Sequence, residues 1–402
     1  MRTVYLFVAI LLTHTGKAQS GWWHAALHRT DGRNIVFNFE WKKEKSKDVW
    51  YIRNASERIR VSDIKHTGDS IIVQMPVFES QFRVVYSDNK LQGVWIKGGS
   101  VKTQVVAFTA EPGSGRFPVT KTTTQNIAGR WSAEFLSNKI TEPAVAEFKQ
   151  TGNQLTGTFL NPTGDYRYLE GVITKDSLFL SCFDGGHAFL FTARIESNKK
   201  ISGGWYYSGA SVRQEWKAVK DAAAKLPADA AAMYLRPGED HLDFTFNDLE
   251  GKPVSINDEQ FKNKVVVVQI MGSWCPNCMD ETAYLSDYYN KNKQRGIEII
   301  SLAYEYSTDR ERSVKSLQKF QQRFNVQYPM LITGVSVNDS LRTEKTLPQL
   351  TSIKFFPSSV ILDKKGKVRK LDTSFNGPAT GEHYLEYKKE FEMTIENLLK
   401  EN

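Results

Sequence analysis

Cysteine is scarce in this 402-residue chain, with three in all: Cys182, Cys275 and Cys278. That number excludes a disulfide-stapled scaffold and a four-thiolate zinc site within one chain. Long apolar runs are missing as well. After the first residues no segment reaches the roughly 18 consecutive apolar residues of a membrane-spanning helix. Charge of one sign does not dominate: 53 Lys and Arg stand against 45 Asp and Glu, a net +8, in mixed runs such as Trp41-Lys42-Lys43-Glu44-Lys45. Without a stripe of Lys and Arg interleaved with aromatics, nucleic acid is not an expected partner. What is present suits a folded chain. Apolar residues make up 40% and charged residues 24%, enough to bury a core in each of two or three domains.

Residues 1–18 read as a cleaved signal peptide. Arg2 supplies the positive start, and Val4 to Leu12 is an apolar run too short to span a bilayer. Gly16 and Ala18 are the small residues favoured before a cleavage site. A lipoprotein needs a cysteine at the new N-terminus, where Gln19 stands. The expectation is an exported, soluble, periplasmic protein, working where disulfides form.

The front half contains two similar stretches. Gly21-Trp22-Trp23-His24-Ala25-Ala26-Leu27 matches Gly129-Arg130-Trp131-Ser132-Ala133-Glu134-Phe135. Gly68-Asp69-Ser70-Ile71 matches Lys175-Asp176-Ser177-Leu178, and Leu91-Gln92-Gly93-Val94-Trp95 matches Ile201-Ser202-Gly203-Gly204-Trp205. Matches in one order at a nearly constant offset indicate tandem copies of one unit. The boundaries are 19–110 and 126–218, joined by a Pro- and Gly-containing loop. Ile35, Phe37, Phe39 and Trp41 alternate with Val36, Asn38 and Glu40, the period of a strand with one buried face. Ala144–Phe148 and Leu155–Phe159 flank a Gly152-Asn153 turn and read as a hairpin. Short strands at such spacing predict all-β barrels or sandwiches. Eight of the nine Trp lie between Trp22 and Trp216, either filling the cores or lining an apolar ligand cavity. Cys182, in the apolar run Leu178–Phe183, reads as a buried, inert thiol. Residues 219–237, Ala-rich with Pro227 and Pro237, are expected to form a partly helical linker.

From residue 238 the sequence turns specific. Val265–Ile270 is a continuous apolar run typical of a strand buried on both faces. Met271-Gly272-Ser273-Trp274-Cys275-Pro276-Asn277-Cys278 follows, then a helical stretch through Tyr289. Strand, short turn and helix place Cys275 at a helix N-terminus. The helix end's partial positive charge and free N–H groups stabilise a thiolate there. Pro276 suits the first turn, where its missing N–H costs nothing. Cys278, one turn deeper, is within reach of Cys275. The implied chemistry is attack by Cys275 on a substrate disulfide, then resolution of the mixed disulfide by Cys278. Zinc would need two more ligands, and all seven His lie outside residues 244–376. An inert bridge is the remaining bland alternative. A thiol peroxidase would want Pro and Thr or Ser before its cysteine, and Val268–Ser273 holds neither proline nor threonine.

Over residues 238–402 the chain resembles the TlpA/ResA-like thiol–disulfide oxidoreductases, a thioredoxin-fold family of the bacterial cell envelope. The features run in the family's order. Phe244–Val254 resembles its opening hairpin, Trp274-Cys275-Pro276-Asn277-Cys278 its active-site motif, and Ile297–Leu302 its next strand. Phe320–Ile332 resembles its central insert, and Phe356–Val368 its cis-proline strand and hairpin. The resemblance implies a redox-active Cys275–Cys278 disulfide with no other cofactor and no metal. It implies a cis Pro357, with Phe356 offering its main chain to substrate, and Trp274 and Pro276 beside the dithiol. Glu281 occupies the family's Glu position, either buried as proton carrier for Cys278 or in water near the helix dipole. Ala283 stands where the family often has a kinking proline. The implied activity is a protein disulfide reductase, with client protein disulfides as substrates and a membrane-bound electron donor. A dithiol oxidant or isomerase is the alternative on this fold, and a client-binding protein led by its β-rich half is the alternative from another class.

Overall fold

The computed structural model describes residues 20–99, 102–137, 140–227, 233–373 and 375–401. The expected leader, 1–18, lies outside the described residues, as do 228–232 of the expected linker.

The β-rich half is two nine-stranded antiparallel sheets of the same scheme. In the first, Gly21–His28 pairs on one side with Asn34–Glu44 and on the other with the last strand, Gln104–Pro112. In the second, Gly129–Ser137 pairs in the same way with Ile140–Thr151 and Val212–Lys220. Both sheets curl into barrels around aromatic cores. Trp23, Trp41, Trp50 and Trp95 fill the first, and Trp131 and Trp216 the second. The tryptophans are thus mainly core residues. Cys182 is buried in the second core, where burial pushes its thiol up.

Three expectations need correction. Val36, Asn38 and Glu40 were expected on a solvent face, yet they are buried too. Strands Ser177–Phe183 and Ala188–Ser197 of the second barrel pack across them, and Ser181 Oγ donates to Val36 O at 2.6 Å. Phe183 also inserts into the first core, stacked on Phe37 at 4.2 Å. The last strands run two residues past both expected ends, to Pro112 and Lys220. The described part of the linker holds no helix. Its Ala-rich run is stopped by Pro227, too short to hold a helix alone. It docks instead, with Ala224 against Val145 and Leu160, and Arg236 N donating to Gln349 O at 2.8 Å.

The C-terminal domain is an α/β thioredoxin-like fold. Its sheet runs Pro253–Ser255, Thr245–Asn247, Met330–Ile332, Ile297–Ala303, Val265–Met271, Ser358–Leu362, Val368–Asp372. Val265–Met271 is parallel to Ile297–Ala303 and antiparallel to Ser358–Leu362. Every residue of Val265–Met271 is buried, as a strand covered on both faces requires. Four helices are described: α1 Pro276–Asn292, α2 Arg310–Phe324, α3 Arg342–Thr346 and α4 Glu382–Lys400. With Ala283 inside it, α1 is continuous.

Candidate active site

The central strand ends at Met271, and the turn that follows is pinned from one side. Buried Glu305 accepts from Ser273 N at 2.8 Å and from Ser273 Oγ at 2.5 Å. Trp274 Nε1 donates to Tyr304 O at 2.8 Å, and its ring stacks on Tyr306 and meets Phe356 edge-on. That turn delivers Cys275 to the cap of α1 in extended conformation, with Pro276 in the first turn. Cys275 Sγ accepts the Cys278 N–H at 3.2 Å, so the sulfur takes the place of a capping oxygen. On its other side Cys275 Sγ lies 3.4 Å from Phe356 O. The Phe356–Pro357 bond is cis. Cys275 and Cys278 are unbridged thiols, 4% and 0% exposed.

Glu281 is buried at 2% exposure and held by three donors. Gln269 Nε2 reaches Oε2 at 2.8 Å, while Ser359 Oγ and Tyr387 OH reach Oε1 at 2.9 and 3.1 Å. Burial outweighs these hydrogen bonds and raises its carboxyl from 4.5 to about 7. Burial also pushes the Cys278 thiol well up, with Cys275 and Glu281 adding to the effect. One buried acid balanced near neutrality thus lies three residues along α1 from one buried thiol that resists ionising.

A third set of residues comes from the second barrel. Arg167 is buried and carries a positive φ of 57°, its N–H held by Asp165 Oδ1 at 2.6 Å. Its guanidinium pairs with Asp280 of α1 and with Glu57 of the first barrel, and donates to Pro276 O at 3.1 Å. Burial raises the Asp280 carboxyl to about 7 even with Arg167 pulling it down. Asp165 Oδ2 accepts from Gly377 N at 2.8 Å, and Gly164 sits directly against Asn277. A cleft of about 220 Å³ remains, lined by Asn161, Thr163 and His187 on the barrel side and by Cys275, Asn277 and Phe356 opposite.

Residues 236–385 match the Redoxin family. Over 152 residues the chain is 30% identical to the thiol-disulfide oxidoreductase ResA of Bacillus thuringiensis subsp. konkukian, covering 38% of this chain and 76% of that protein. The chain belongs to the ResA thiol–disulfide oxidoreductase family. The ResA of Halalkalibacterium halodurans is 24% identical over 155 residues, covering 38% of this chain and 78% of that one. Among solved structures, the ResA-family region is similar to the thioredoxin domain of a thiol-disulfide oxidoreductase from Bacteroides vulgatus. The identity is 26%, with 39% of this chain and 98% of that one covered and a TM-score of 0.29. A thiol-disulfide oxidoreductase from Bacteroides fragilis is 18% identical, with 37% and 99% covered and a TM-score of 0.28. The ResA match to these proteins lies in the C-terminal part of the chain and leaves the barrels as an addition to it.

All seven candidate residues of this ResA-family site gather at one end of the sheet. Cys275, Phe356 and Pro276 line the cleft, Trp274 and Pro357 flank it, and Cys278 and Glu281 lie beneath. Sequence reasoning missed Gln269, Ser359 and Tyr387, which hold Glu281. Gln269 left a trace, as the one polar residue in an apolar strand. It also missed Arg167, Asp280 and His187. Arg167 and His187 sit in ordinary β-rich sequence, 108 and 88 residues before Cys275, and no motif marks them.

Proposed function

We propose that this oxidoreductase is exported and reduces disulfide bonds of client proteins in the periplasm. The observation that carries the reading is the capped Cys275 sulfur, 3.2 Å from the Cys278 N–H at the mouth of the cleft. The Cys275 thiolate attacks one sulfur of the client disulfide, forming a mixed disulfide and releasing the other sulfur as a thiolate that takes up a proton. Cys278 then gives its proton to Glu281 and attacks Cys275 Sγ, releasing the second client thiol. Two electrons pass to the client, and the Cys275–Cys278 pair is left oxidised. A membrane-bound dithiol donor restores it. Pro276-Asn277 supports the reducing direction, since the dipeptide lacks the His that favours strong oxidants. Gly16, Ala18 and the apolar run before them support export. Among the described residues no helix is long and apolar enough to cross a membrane.

The test is trapping. Cys278→Ala is expected to accumulate a Cys275 mixed disulfide with a peptide substrate, seen as an added mass that dithiothreitol removes. With Cys275→Ser no adduct forms. An adduct that forms equally well without Cys275 contradicts the assignment.

A further inference from the structure

The two barrels are bolted to the redox domain at two places, one from each barrel. Beside the dithiol, Arg167 ties the second barrel to Pro276 O and Asp280, and Asp165 ties it to Gly377 N. By the turn that carries Ser273 and Trp274, Glu79 of the first barrel accepts from Arg312 Nε at 3.0 Å, from Arg312 Nη2 at 2.6 Å and from Ser316 Oγ at 2.8 Å. The fit is close. A Cβ on Gly164 would lie 2.0 Å from Asn277 Nδ2, inside the CxxC motif itself. Below this roof the cleft measures about 220 Å³, smaller than the ~300 Å³ at which ordinary small-molecule sites begin. With Cys275 only 4% exposed and Cys278 fully buried, the dithiol is not presented on an open surface onto which a folded domain can dock.

Resting on the disulfide-reduction reading above, we propose that the second barrel sets the class of client: a disulfide whose attacked sulfur lies on a single extended, unfolded segment. Such a segment is thin enough to thread between Phe356 and the barrel. The rim suits it, because Asn161, Thr163, Asn277 and His187 offer polar groups to main-chain N–H and C=O rather than an apolar patch to a folded surface. The Asn277 Oδ1 acceptor is buried without a hydrogen-bond partner, an unmet acceptor that a main-chain donor entering the cleft would satisfy. The exchange itself is unchanged. Cys275 forms a mixed disulfide with the segment's sulfur, the partner sulfur leaves and is protonated, and Cys278 releases the segment as a thiol while the pair is oxidised.

The experiment compares two probes on the full, dithiothreitol-reduced chain: a linear peptide dimer joined by one disulfide, and a compact folded protein with an exposed disulfide that dithiothreitol reduces readily. The peptide is expected to show at least about a tenfold higher kcat/KM. In parallel, iodoacetamide and a long-chain polyethylene-glycol maleimide alkylate reduced Cys275, each rate normalised to the urea-unfolded chain and read by peptide mass mapping. The bulky reagent is expected to fall behind by a similar factor. Arg312→Ala, which releases the first barrel's clamp and touches neither cysteine, is expected to narrow both ratios. Equal rates on the two probes with equal normalised alkylation overturn the filter and leave disulfide reduction standing. No reduction of the peptide dimer overturns the underlying reading instead.

Discussion

In the first barrel, Lys47–Asn54 pairs with the five-residue strand Glu57–Val61, and the sheet stays unpaired between that strand and Asp63–Thr67. In the second, the counterpart Gln154–Asn161 pairs with only Gly164–Asp165, then with Leu169–Thr174. Together with its pairing to Ile140–Thr151, that closes the second sheet into a ring. The shortened strand frees Tyr166–Tyr168 from the ladder: Tyr166 packs into the second barrel's core, and Arg167 reaches the redox domain. Arg60 and Arg167 stand at the same distance beyond the matched strands, and their fates differ. Arg60 lies on the surface beside Glu44, with the two side chains 43% and 37% exposed. Arg167, at 2%, pairs with Glu57 of the first barrel, Asp184 of the second and Asp280 of α1. A duplicated fold has thus turned one copy's spare turn towards the dithiol, while the other copy meets the redox domain through Glu79 at Arg312 and Ser316. Shortening one strand sufficed.

Substitutions that contrast the barrels with the redox domain, and then the two barrels with each other, test this division. The largest effect is expected at the cysteines. Cys275→Ser should abolish peptide-disulfide reduction, whereas Cys182→Ala, in the second barrel's core, should cost about 1 kcal/mol of stability and leave turnover intact. Loss of turnover in the Cys182 variant would mean the barrel takes part in the chemistry. Next come the matched arginines. Arg167→Ala strips a counter-charge from buried Asp280 and Glu57 and is expected to cost about 3–5 kcal/mol in urea unfolding. Arg60→Ala removes a surface pair worth about 0–1 kcal/mol. Equal losses would break the comparison.

The next effect is one of pH. The folded Glu281 carboxyl is raised from 4.5 to about 7, so the native state binds this proton more tightly than the unfolded chain. Its contribution is fully present below pH 4.5 and is lost as pH rises through 7, a fall of about 3 kcal/mol. Asp280 and Glu305, also raised to about 7 by burial, act in the same direction. Glu281→Gln should flatten this part of the stability profile and slow the resolving step, leaving mixed-disulfide formation unchanged. An unaltered profile would place Glu281 in water.

Much of the redox domain was legible because its signals are local. An all-apolar strand, a CxxC at the following helix cap and Phe356-Pro357 before a hairpin each lie within a few residues. The barrels were legible as a duplication and as alternating strands, since a repeat betrays itself by order and offset. Their union was not. Alternation in Ile35–Trp41 reports one buried face, and the partner that covers Val36 and Asn38 lies about 145 residues on, at Ser181. The roof over Cys275 was invisible for the same reason. Arg167 bonds Asp280 across 113 positions, and an arginine in a turn reads as solvated until the fold supplies Glu57, Asp184 and Asp280 around it. Gln269 sits between these extremes, a visible oddity whose meaning waits on Glu281.

The most direct test of the account is the reduction potential of the Cys275–Cys278 pair, equilibrated against dithiothreitol or glutathione redox buffers and read by alkylation and mass. The account predicts roughly −250 mV or lower, where the dithiol can donate electrons to most client disulfides. A value nearer about −120 mV would contradict it and make the protein an oxidant.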